Sequence, residues 1–212
     1  MNKAESFWDK SADNYDKTEE RFEIIHNTSR QHAKRYLRDT DVVLDYGCGT
    51  GTTSCELSSH VKKIEAIDIS SKMIEIAKNK AVVAKVENVA FLQGDIFDDR
   101  YENESFDVIL AFNMLHTVPD SRRVVQKTLE LLKPAGLFIS VTPCLAGKMS
   151  FLVSLQILLV RVLLRAGIIP IPIRRLRQTD IDDLVAGSFK IVESENIYAG
   201  ASSYFLVAKK NG

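Results

Sequence analysis

The run Val43-Leu44-Asp45-Tyr46-Gly47-Cys48-Gly49-Thr50-Gly51 restricts the fold of this chain more than any other stretch. A short apolar strand (Val42, Val43, Leu44) leads into an acid, Asp45, and three glycines follow at every second position. A strand that ends in such a turn and opens a helix builds a cofactor pocket in α/β proteins. Glycine permits positive φ and removes the Cβ that would block a ligand's approach. A dinucleotide fingerprint needs its glycines in a G-x-G-x-x-G order. Here the third place of that order is Thr52, and the glycine comes one residue early.

At 212 residues the chain suits one α/β domain, or one domain with a small appendage. Hydrophobic residues make up 45%, enough for a sizeable core, and 28 basic residues balance 28 acidic ones. No global field therefore favours nucleic acid as a partner. Cys48, Cys55 and Cys144 lack C-x-x-C spacing, so no metal site is expected. A sparse, odd cysteine count fits a reducing cytoplasm. The first ten residues are charged and have no apolar run, so no signal peptide is expected.

Residues 5–38 read as polar and helical, anchored by Phe7, Trp8, Tyr15, Phe22, Ile24 and Ile25. Strands are expected at 42–46, 64–67, 89–93, 106–112 and 137–142, with helices at 52–60, after Ser70 or Ser71, and at 120–132. The fourth strand is nearly all apolar, as a buried parallel strand should be. Alternating short strands and helices imply a parallel sheet with helices on both faces, and ligands then sit at the carboxyl ends of the strands. Beyond an irregular stretch, 179–186 reads as a short helix, and 189–195 and 204–209 as two closing strands joined by a turn with Gly200.

The D-x-G-x-G-x-G form resembles motif I of the class I S-adenosylmethionine-dependent methyltransferases, of the small-molecule, type 11-like kind. That family ends its seven-stranded sheet with an antiparallel hairpin, so the resemblance covers nearly the whole chain. It implies a Rossmann-like three-layer sandwich with a helical insert after strand five. The chain then divides into an N-terminal helical cap (1–38), a cofactor-binding core (39–142), an apolar and basic insert (143–178) and a closing helix and hairpin (179–212).

The resemblance also assigns roles. Asp68 ends the second strand, 23 residues after Asp45. A carboxylate there can accept from both hydroxyls of a ribose; a nicotinamide enzyme would want the same acid. With Asp45, Gly47, Cys48, Gly49, Gly51 and Ile69 it would form the first part of the S-adenosylmethionine site. Gly94, Asp95 and Ile96 would meet the adenine. Met73 would pack on the ring, or would simply be core. Asn113, in Asn113-Met114-Leu115-His116, would lie near the methionine moiety. The N-x-L-H form is closer to enzymes acting on quinone precursors and lipids than to nucleic-acid methylases. His116 can serve as a general base, or can hydrogen-bond a loop carbonyl. The segment from Phe7 to Asp16 resembles W-x-x-x-A-x-x-Y-D, in which Tyr15 closes over the sulfonium through its ring face.

Methyl transfer from a sulfonium is an in-line displacement and leaves S-adenosylhomocysteine. The protein mainly aligns the groups and excludes water. The implied reaction is methyl transfer to a small, apolar or lipid-like or quinone-like acceptor. The alternative is an S-adenosylmethionine binder without catalysis, such as a sensor or assembly partner.

The stretch 149–173 is strongly apolar, yet its longest uncharged run, 149–160, is too short to span a bilayer. Ser150, Ser154, Arg161 and Arg165 share a narrow polar stripe at helical spacing. Across 148–177 there are six basic residues (Lys148, Arg161, Arg165, Arg174, Arg175, Arg177) and no acid. The helix can roof the acceptor pocket, form a homodimer interface, or contact an inner membrane surface peripherally from the cytoplasm.

Overall fold

The computed structural model describes residues 3–146, 150–198 and 202–211, with Leu152 described by its backbone alone. The expected turn at Gly200, and Lys148 of the basic stretch, lie outside the described residues.

Seven strands form one sheet. They are β1 (Val42–Tyr46), β2 (Lys63–Asp68), β3 (Val89–Gln93), β4 (Phe106–Phe112), β5 (Leu132–Pro143), β6 (Phe189–Tyr198) and β7 (Ser202–Lys210). Their spatial order is β3-β2-β1-β4-β5-β7-β6. β1 to β5 are mutually parallel, and β7 runs antiparallel between β5 and β6. The Rossmann-like sheet with a closing hairpin is thus present. Chain order reverses at β1, which pairs with β2 on one side and β4 on the other. A crevice opens at the carboxyl ends of the strands at such a switch point.

Strand alternation divides the core into two layers. Leu44, Tyr46, Ile67, Ile109, Ala111 and Phe138 pack against α5 (Ser121–Leu131) and α7 (Gln178–Val185). Val43, Ile64, Ala66, Val108, Leu110 and Ile139 face α2 (Glu23–Lys34), α3 (Thr52–Leu57) and α4 (Ser71–Ala84). Each fully buried Leu or Ile contributes about 1.5–3 kcal/mol, so the near-continuous apolar run of β4 follows from being covered on both faces.

Several boundaries differ from the sequence expectation. The helical region 5–38 splits into α1 (Lys3–Glu19), a 3-10 turn at Glu20–Phe22, and α2. The break falls at Phe22, whose φ of −112° and ψ of 17° are not helical. It lets Ile25 turn into the core. Ser70, not Ser71, caps α4, accepting from the Met73 amide. β5 starts at Leu132 rather than 137: Leu132 pairs with Phe106, residues 133–136 bulge out, and pairing resumes at Leu137 with Val108. The insert supplies α6 (Phe151–Arg165), capped by Ser150, and no helix among the described residues is long and apolar enough to cross a membrane.

The third glycine of the turn is required by packing. Gly51 has φ of +77°, and a Cβ there would lie 2.7 Å from the Phe91 ring and 2.8 Å from Ala77 Cβ. Left-handed φ costs a non-glycine residue about 1–2 kcal/mol, and overpacking costs about 1–3 kcal/mol. Gly51→Ala is therefore expected to lose about 2–5 kcal/mol in urea melts. Gly187→Ala, with a similar φ of +81° but open space around it, should lose only about 1–2 kcal/mol. Equal losses would remove the packing argument.

Candidate functional site

The glycine turn is tied to the end of β2. The Gly47 and Cys48 amides both donate to the Ile67 carbonyl, at 2.8 and 3.0 Å. The Gly49 amide donates to Asp68 Oδ2 at 3.0 Å, and the Ser70 amide to Asp68 Oδ1 at 2.9 Å. One carboxylate therefore joins the β1 and β2 loops. Burial pushes its pKa up, and the amides of Ser70 and Gly49 oppose that shift.

Two acids of α1 lay that helix over the turn. Asp9 accepts from Ser70 Oγ at 2.6 Å and from the Lys72 amide at 3.2 Å. Asp16 accepts from the Thr50 hydroxyl and from Lys80 Nζ at 3.0 Å. Lys80 also donates to Thr52 at 2.6 Å. Tyr15 is thereby held over Gly49: a Cβ at Gly49 would be 3.4 Å from its ring. Trp8 meets Tyr15 edge-on, with centroids 6.3 Å apart.

Three cavities meet here. The first, about 280 Å³, is lined by Tyr15, Gly47, Gly49, Asp68, Ile69, Met73, Asp95 and Asn113, with Trp8, Phe97 and Met114. The second, about 630 Å³, is polar. Asp45 and Cys48 lie in its wall, and it gathers six carboxylates (Asp16, Glu19, Glu20, Glu23, Asp45, Glu56) against Arg30 and Lys80. The third, about 420 Å³, is apolar, walled by Phe22, Ile25, Leu145, Val153, Ile157, Val160, Ile171 and Ile173, and also touched by His116. Tyr15 and Asn113 line all three. Asn113 has φ of +56° and donates its amide to Val141 at 2.7 Å. Asparagine tolerates this left-handed conformation better than most residues.

Most residues singled out from the sequence thus converge, but three do not line a cavity. Gly51 serves packing. Gly94 donates to the Asp68 carbonyl at 3.0 Å. Ile96 has a fully buried side chain in the core layer under α5, so only its backbone is left to meet a ligand. Met73 is 1% exposed and is both core and cavity wall. His116 is half-buried, and its buried Nδ1 has no hydrogen-bond partner among the described residues. Burial alone lowers its pKa to about 4, so it is a weak base.

His26 did not stand out in the sequence. Its Nε2 lies 2.7 Å from Glu19 Oε2, and its Nδ1 lies 3.2 Å from Asn113 Nδ2. It lines the polar and apolar cavities both. It sits in the first turns of α2 with no motif around it, and the break at Phe22 precedes its approach to Asn113.

Asp45 is 1% exposed, and its partner is the Ser54 hydroxyl. Burial raises its pKa from 3.8 to about 6, eased by Ser54 and increased by Asp68. Ionising it in the folded protein therefore costs stability as pH rises from about 4 to about 6, and the full cost persists above that. Asp45→Asn carries no such charge. The stability of the ligand-free variant relative to wild type should rise by about 1–3 kcal/mol between pH 4 and pH 7. Denaturant melts at the two pH values read this; a constant difference would mean that Asp45 titrates as a normal carboxylate.

Comparison with known proteins places this geometry. A family model described as a methyltransferase domain matches residues 37–158. The demethylmenaquinone methyltransferase of Lactococcus lactis is 37% identical over 97 residues, 44% of this chain and 38% of that protein. The ubiquinone biosynthesis O-methyltransferase of Coxiella burnetii is 35% identical over 99 residues, 46% of this chain and 42% of that protein. The chain spans about two fifths of the length of these curated relatives. Among solved structures, the YcgJ protein of Bacillus subtilis superposes with a TM-score of 0.70 at 19% identity, over 88% of this chain and all of that one. That likeness concerns the fold.

Proposed function

Because the chain belongs to the methyltransferase-domain family, we propose that it transfers a methyl group from S-adenosylmethionine to a small apolar acceptor of the quinone-precursor or lipid type. The observation that carries this reading is the meeting of three chemically different cavities at Tyr15 and Asn113. S-adenosylmethionine, the family's donor, supplies an activated methyl group when bound.

The residues suit that group. Asp68 would take the ribose hydroxyls with its remaining lone pairs, and Asp95 with the Ile96 amide would take the adenine. The acid-rich second cavity matches the cationic sulfonium and ammonium end. Within it, Arg30 offers a guanidinium to the carboxylate. Side chains on Gly47 or Gly49 would intrude on the cradle: a Cβ at Gly47 would be 3.0 Å from Met114.

The apolar third cavity excludes water from the acceptor. Where the acceptor carries a proton, His26 Nδ1 takes it, displacing the Asn113 amide, and Glu19 steadies the imidazolium through Nε2. His116, half-buried and weakly basic, is the poorer candidate for that role and instead shapes the apolar wall. The quinone pathways named for the two curated relatives support an acceptor of this class. In this reading residues 1–212 act as one unit: a cap at 1–38, the core at 39–142, an insert at 143–178 that helps enclose the acceptor, and a closing helix and hairpin at 179–212.

Calorimetric titration with S-adenosylmethionine and S-adenosylhomocysteine tests the donor site. Micromolar binding is expected for wild type. Asp68→Asn should weaken it about 10–100-fold, since each charge-assisted hydrogen bond contributes about 1.5–3 kcal/mol. A melt on the variant separates lost contacts from a loosened loop. Incubation with methyl-labelled donor and an organic extract of cell membranes then tests transfer. Absence of binding by folded wild type would overturn the whole reading, whereas binding without label transfer to the extract would leave a donor-binding protein.

A further inference from the structure

α6 has two apolar faces. Val153, Ile157 and Val160 look into the third cavity. At about 100° per residue, Phe151, Leu155, Leu158, Leu159 and Val162 fall on the opposite side. All five are more than half exposed: Leu158 and Val162 at 54%, Leu155 at 55%, Leu159 at 59% and Phe151 at 81%. Ile168, in the turn beyond the helix, is 65% exposed. A soluble surface seldom gathers so many large apolar side chains without a use.

The charge around this face has one sign. Arg161 and Arg165 are exposed along one flank and form no ion pair among the described residues. Arg174, Arg175 and Arg177 follow, also exposed. Residues 150–177 contain no acid, although the whole chain is neutral. A second copy of this chain is a poor occupant, because a two-fold contact sets the same patch against itself and would bring arginines toward arginines. A surface of phosphates bordering hydrocarbon complements both the charge and the apolar stripe.

We propose that the outer face of α6 docks on an anionic lipid bilayer. The helix lies in the interface, with its leucines in the acyl boundary and its arginines on lipid phosphates. At 15 residues it is about 22 Å long, too short to span. The same helix walls the apolar cavity, so docking sets that cavity beside the membrane. Lipid binding itself does not depend on the methyl-transfer reading, which titration with S-adenosylhomocysteine tests separately.

Flotation on a sucrose gradient with phosphatidylcholine vesicles, with and without 30 mol% phosphatidylglycerol, tests the proposal. Wild type should float with the anionic vesicles, at least about tenfold more than with the neutral ones, and should release as salt is raised. Leu158→Asp/Leu159→Asp and, separately, Arg161→Glu/Arg165→Glu should each stay at the bottom while keeping wild-type affinity for S-adenosylhomocysteine. Wild type that fails to float with anionic vesicles overturns the proposal. So does flotation that survives both double substitutions. A lipid-free dimer in sedimentation velocity that the leucine variant dissociates would assign the face to a second copy instead.

Discussion

The Asp68 carboxylate is the constraint on which the site depends. One oxygen accepts from the Gly49 amide and the other from the Ser70 amide. This bridges the loops after two neighbouring strands at the point where chain order reverses. Burial works against its charge, and two backbone donors offset that cost. The arrangement costs stability, and its result is a carboxylate held in one orientation at the mouth of the first cavity. Charge-assisted hydrogen bonds to backbone amides are short and directional, which makes them suited to fixing such a group.

The N-terminal helices complete the site from outside the sheet. Asp9 reaches the cap of α4, and Asp16 reaches Thr50 and Lys80. These contacts set Tyr15 above Gly49, and the break at Phe22 returns α2 toward β4 so that His26 meets Asn113. Neither helix would do this by propensity alone, because both are largely polar and gain their fixed position from the contacts they make. The cavities are therefore products of the cap as much as of the sheet.

Charge is segregated although the chain is neutral overall. Carboxylates concentrate around the second cavity, arginines around α6. Each concentration carries a self-repulsion cost that a uniform mixture would avoid. Opposite signs on two surfaces suit two different ligands, a cationic one inside and an anionic one outside.

The fold and the floor of the site were legible in the sequence for a local reason. Strand alternation, helix caps and the spacing of Asp45, Gly47, Gly49, Asp68 and Asp95 are set by residues close together in the chain, and a strand's end determines where the next loop begins. What lay beyond reading depended on contacts between distant segments. Gly51 is a glycine because Phe91 and Ala77 crowd it, 40 and 26 residues away. Asp45 and His116 owe their altered basicity to desolvation, which appears only once other layers cover them. His26 acquired partners through a helix break that no motif announces. The apolar helix at 151–165 was visible as composition, but which of its faces turns inward appears only in the apolar cavity it walls together with Phe22, Ile25 and Ile171, since periodicity places residues on a helix and cannot orient the helix in space.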